Sequence, residues 1–67
     1  MMQITVNGTV TKIPENLSMT ELLEQLDLLG KRLAVEVNAE LVPRSRFDEH
    51  RLAVDDQVEI IHAVGGG

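Results

Sequence analysis

A chain of 67 residues with 11 acidic and 6 basic side chains, a net charge of −5 and no cysteine has room for one domain and one core, and for no disulfide or thiolate chemistry of its own. Its single aromatic residue, Phe47, and its acidic balance argue against nucleic-acid binding, which calls for stacking platforms and a basic surface; they favour a small carrier or interaction module whose partners present basic docking faces. No apolar run approaches the roughly 20 residues that cross a bilayer, and the opening stretch lacks the basic and apolar regions of a secretory signal, so a cytoplasmic protein is expected.

Along the chain, Met2, Ile4 and Val6 alternate with Gln3 and Thr5, the period of two that marks a half-buried strand. Asn7-Gly8 follows, a strong hairpin signal because both residues tolerate positive φ. The β-branched run from Thr9 to Ile13 returns as a second strand, and Pro14 ends it. Ser18 and Glu21 stand three apart as a capping box, with Leu17 and Leu22 at the flanking staple positions. Met19, Leu22, Leu23, Leu26 and Leu29 then form one helical stripe. Gly30 is placed to close that helix in a left-handed conformation, with Lys31 and Arg32 beside the negative end of its dipole.

Leu33 to Asn38 alternates again and reads as a third strand, turning at Ala39-Glu40 into a short extended piece, Leu41-Val42, limited by Pro43. Arg44 to His50 is polar and reads as irregular, pinned by Phe47. Val54-Asp55-Asp56 makes a turn into the last strand, Gln57 to Val64. The order strand, strand, helix, strand, short strand, strand predicts a helix on one face of a mixed sheet. The expected organisation is one domain over residues 1–64 and a flexible tail over residues 65–67.

That tail is Gly65-Gly66-Gly67. Glycine is costly to order and adds nothing to a core. One reading is a frayed terminus of the ordinary kind. The other is chemical: a tail without side chains threads a channel in which any Cβ would clash. Three residues extend about 10 Å at most, enough to carry the Gly67 carboxylate into a partner's active site. A carboxylate is a poor electrophile, but as an acyl-adenylate it has a good leaving group. A sulfur nucleophile can then displace AMP and leave a thiocarboxylate, one hard step divided into two easier ones. With no cysteine in the chain, that sulfur has to come from a partner.

Three segments bear a resemblance beyond composition: Val35 to Arg44 with Phe47 beyond it, Asp56 to Ile61, and the ending Ala63-Val64-Gly65-Gly66-Gly67. With the opening strand and the Leu-rich helix they resemble the ThiS family, the sulfur carriers of thiamine biosynthesis, over the whole chain. The resemblance implies an α+β, ubiquitin-like β-grasp fold, with a mixed sheet of four to five strands and one main helix on one face. It implies that the chain is a protein co-substrate rather than an enzyme, with no bound cofactor. In the implied cycle an E1-like adenylyltransferase of the ThiF/MoeB type adenylates Gly67 with ATP and magnesium. A cysteine desulfurase or other donor supplies the sulfur, and a thiazole synthase of the ThiG type takes it for the thiazole phosphate ring. Two positions depart from the family pattern. Asp55 stands where Gly is common, at some cost in stability, and Phe47 stands where Trp is common, as a packing substitution.

Other residues admit a plainer reading beside a functional one. His62 is a solvated strand residue or a general base. Arg44 and Arg46 are solvated loop charges or docking residues. Asp48, Glu49, Asp55 and Asp56 lack any recognised metal-ligand spacing, so no metal is assigned. Ile61 and Ala63 line either the core or, on a face the helix leaves open, an apolar docking patch. The terminus also suits the small subunit of molybdopterin synthase, or a protein modifier joined to lysines through Gly67. A noncovalent binding module would use no terminus at all.

Overall fold

The computed structural model describes residues 1–62; Ala63, Val64 and the three terminal glycines lie outside them. The elements are β1 (Met2–Val6), β2 (Thr9–Ile13), α1 (Met19–Gln25), β3 (Leu33–Val37), β4 (Glu40–Val42), a 3-10 turn (Arg44–Arg46) and β5 (Gln57–His62). The strands form one sheet in the order β2-β1-β5-β3-β4. β5, last in the chain, is central in the sheet: it runs parallel to β1 and antiparallel to β3. Both outer pairs, β1–β2 and β3–β4, are antiparallel hairpins.

Each hairpin turns on two residues in the left-handed region, Asn7 (φ 48°) with Gly8 (φ 83°) and Asn38 (φ 52°) with Ala39 (φ 71°). Positive φ at both centres suits the right-handed twist of the flanking strands. The second turn therefore sits one residue earlier than the Ala39-Glu40 expected from sequence, and Glu40 already belongs to β4. The register explains why. Val42 pairs with Val35 and both are buried. A slip of one residue would send Val42 outward and Leu41 inward.

The capping box at α1 is formed as expected: Ser18 Oγ accepts from the Glu21 N–H at 3.1 Å, and Glu21 Oε1 accepts from the Ser18 N–H at 2.9 Å. Segment 44–50, expected to be irregular, contains the 3-10 turn and completes this cap. Its His50 and Phe47 carbonyls accept from the Met19 and Thr20 N–H groups at 2.9 and 3.2 Å. Those donors have no partner within the helix. Phe47 anchors the segment in the core.

The C-terminal end of α1 departs from expectation. The helix stops at Gln25, with Asp27 (φ 61°) rather than Gly30 in the left-handed position after the cap. Leu28 N–H bonds to Leu23 C=O at 2.8 Å and Asp27 N–H to Glu24 C=O at 3.0 Å, the paired bonds of a Schellman ending. A continued helix would point Leu28 away from the stripe begun by Met19. Ending it early packs Leu28 against the core and leaves Leu29 exposed. No basic side chain lies in the last turn, so Lys31 and Arg32 do not serve the dipole as expected.

Met19, Leu22 and Leu23 of α1 meet Ile4, Ile13, Val35, Val37, Val42, Val58 and Ile60 of the strands in one core. The alternate strand residues face the other way, and among the described residues no helix covers them.

Candidate functional site

The terminal residues expected to do the chemistry, Gly65, Gly66 and Gly67, lie outside the described residues. What the structure gives is the strand that precedes them in the chain. β5 carries the chain to His62, which pairs with Leu33 at the start of β3. His62 is exposed, at the sheet's end.

The helix-free face beside that end has a definite composition. Across β4, β3 and β5 the register sets Leu41 opposite Glu36 and Glu36 opposite Glu59; in an adjacent row on the same face Ala34 stands opposite Ile61. Leu41 is 67% and Ile61 54% exposed, so the open-face reading of Ile61 holds; Ala63, read with it, lies outside the described residues. The result is a patch of two large apolar side chains around two carboxylates. The ion pairs among the described residues lie elsewhere, at Met1–Glu15, Arg46–Glu49 and Arg51–Glu21. Like charges directly opposite each other on a sheet are destabilising. The Glu36–Glu59 pair is thus a local cost to the isolated domain.

The near end of β5 is held by polar side chains. Asp56, only 8% exposed, accepts from Asn38 Nδ2 at 3.0 Å and from the Ala53 N–H at 2.8 Å. Asn38 Oδ1 accepts from the Gln57 N–H at 2.9 Å. Asp55 takes the left-handed position (φ 69°), the conformation for which glycine is better suited.

The remaining candidates are spread over separate contacts. Arg44 donates to the Lys31 carbonyl at 3.2 Å and Arg46 lies 3.9 Å from Glu49, both on the segment that packs through Phe47 on the helix side. Asp48 accepts from the Thr20 hydroxyl. Among the described residues no three His, Asp or Glu side chains gather as a metal site, and no helix is long and apolar enough to cross a membrane.

The ThiS family model matches residues 3–67, all but two residues of the chain. The chain belongs to the ThiS family of small sulfur carriers. It is 32% identical to the sulfur carrier protein ThiS of Escherichia coli K12, over 98% of this chain and 100% of that one. The crystal structure of the thiamine biosynthesis protein ThiS from Geobacter metallireducens superposes with a TM-score of 0.85 at 36% identity, covering 98% of this chain and all of that one. The five-stranded sheet with one helix is thus the ubiquitin-like β-grasp fold of ThiS. A thiazole synthase of Paramagnetospirillum magneticum is 30% identical over 98% of this chain, but the match spans 20% of that protein's length.

Proposed function

We propose that this chain carries sulfur as a thiocarboxylate on Gly67 and delivers it to a thiazole synthase. The carboxylate attacks the α-phosphorus of ATP inside an adenylating partner and expels pyrophosphate. Sulfide-level sulfur then adds to the acyl-adenylate carbonyl and expels AMP, and the C–S bond replaces a C–O bond. When the sulfur passes to the acceptor, the acyl C–S bond breaks and an oxygen from water, or one that the acceptor gives up, takes its place and restores the carboxylate. The chain itself supplies a rigid platform and a side-chain-free extension. Five residues beyond His62 reach about 17 Å at most, so the partner has to seat close to the end of β5.

The observation that carries this reading is the match to ThiS sulfur carriers along essentially the whole chain, terminal glycines included. The match to one fifth of a thiazole synthase supports the acceptor, because linking two parts that work together raises their effective concentration. The acidic and apolar face beside β5 supports a docking partner with an apolar surface rimmed by Arg or Lys, and we assign it to the thiazole synthase. Two copies of this chain would bring four glutamates together there, which speaks against self-association through that face.

Incubation with a ThiF-type adenylyltransferase, ATP, magnesium and sulfide tests the chemistry. Intact-mass analysis should show one oxygen replaced by sulfur, and a chain lacking Gly67 should show no change. Covalent adducts with lysines in place of that shift would make the chain a modifier. Failure of its gene to relieve a thiazole requirement, with relief of a molybdopterin requirement, would move it to the other carrier class.

A further inference from the structure

We infer that Asn7 is a positioning residue, clamping the open edge of β5 at Ile60 just ahead of the C-terminal segment. This rests on the reading of Gly67 as the working terminus. β1 pairs with β5 only through Thr5↔Gln57 and Val6↔Val58, after which the chain turns away at Asn7-Gly8. β5 continues to His62, so its edge on that side loses its neighbour. The Asn7 backbone N–H still reaches the Val58 carbonyl at 2.8 Å. Beyond that, the Asn7 side chain takes over: Oδ1 accepts from the Ile60 N–H at 2.7 Å and Nδ2 donates to the Ile60 carbonyl at 3.2 Å. A carboxamide has the donor and acceptor of a peptide group, and here it replaces one peptide of the strand that has turned aside.

Position 7 therefore meets two demands. Its backbone needs a left-handed conformation (φ 48°) for the hairpin, and its side chain needs to donate and accept toward one residue of β5. Glycine satisfies the first demand alone. Aspartate tolerates the conformation and accepts, but as a carboxylate does not donate. The clamp holds β5 on both edges up to Ile60, two residues before the last described position. A strand held in place up to Ile60 costs less ordering when a partner seats against its outgoing end.

Asn38 provides a matched control. It occupies the same place in the other hairpin turn and bonds Asp56 and Gln57 at the start of β5. In Asn7→Gly, amide exchange at Ile60 should rise about tenfold while the core amides of Val35 and Val58 keep their protection. With the adenylyltransferase, ATP, magnesium and sulfide, the KM for this chain should rise about fivefold at unchanged kcat. Asn38→Gly should leave both the Ile60 exchange and the KM as in the parent chain, and Asn7→Asp should fall between. Equal KM increases in both glycine variants would reduce the effect to loss of strand stability and overturn the inference. A protected Ile60 amide in Asn7→Gly would overturn it as well. If the parent chain takes up no sulfur, the functional reading falls, and the Ile60 exchange alone decides whether the clamp exists.

Discussion

Individual residues in the left-handed region carry a readable stability cost. Asn7, Asn16, Asp27, Asn38 and Asp55 all have positive φ, a conformation that asparagine and aspartate tolerate better than other residues with a Cβ. Ala39, at φ 71°, has no such side chain, and an L-residue there costs about 1–2 kcal/mol. Ala39→Gly should therefore stabilise the domain by about 1 kcal/mol, after the extra entropy of glycine in the unfolded chain is subtracted. In a domain of this size that raises Tm by about 4–8 °C. Asp55→Gly should gain less, because aspartate starts from a smaller penalty. Thermal melts followed by circular dichroism rank the two, and a larger gain at Asp55 would contradict the backbone assignment at Ala39. The sequence signals at these positions were uneven. Asn7-Gly8 announces its turn by residue type at both centres, whereas Asn38-Ala39 does so only at Asn38; the turn falls there to keep Val35 and Val42 on the buried face.

At the scale of one element, α1 is set by its first turn. Its capping box is local chemistry between Ser18 and Glu21, which is why its start is legible in the sequence, whereas the Phe47 and His50 carbonyls that complete the cap are not. Its end is settled by where Leu28 packs, a tertiary demand that local pattern does not encode. The Glu21 carboxyl is held below its usual range, chiefly by the hydrogen bond from the Ser18 backbone N–H, then by the Ser18 side chain, with slight desolvation opposing and Arg51 adding a smaller pull. A depressed carboxyl stabilises the fold above its unfolded pKa, about 4.3, and that contribution is lost as pH falls through the lower folded value. Glu21→Gln should accordingly flatten the acid limb of a stability–pH curve while leaving the helix formed. Ser18→Ala should lower stability by about 1 kcal/mol at neutral pH. Chemical denaturation at several pH values checks both, and an acid limb unchanged in Glu21→Gln would remove Glu21 from the account.

For the molecule as a whole, the family was legible in the sequence, but the strand platform only in part. The three terminal glycines are the signal on which the proposed chemistry at Gly67 rests, and they lie outside the described residues. The acidic pair on the helix-free face was not legible, because Glu36 and Glu59 become neighbours only through the β3–β5 register. Nor was the second task of Asn7, whose partner Ile60 is 53 positions away. The pair makes a prediction with two opposed readouts. Glu59→Lys should raise Tm, since removing a directly opposed like charge is worth about 0.2–1 kcal/mol. It should also weaken binding to the thiazole synthase, most clearly at low salt. Calorimetry and titration on the same variant decide it, and binding that survives the reversal would take the face out of the docking surface. One further consequence follows from β5 lying at the centre of the sheet. Traction on its outgoing end runs along the strand axis and loads the ladder of bonds to β3 in shear, together rather than one after another. A partner that draws on this end therefore works against the whole ladder at once, and the body of the carrier can stay folded while its end is handled.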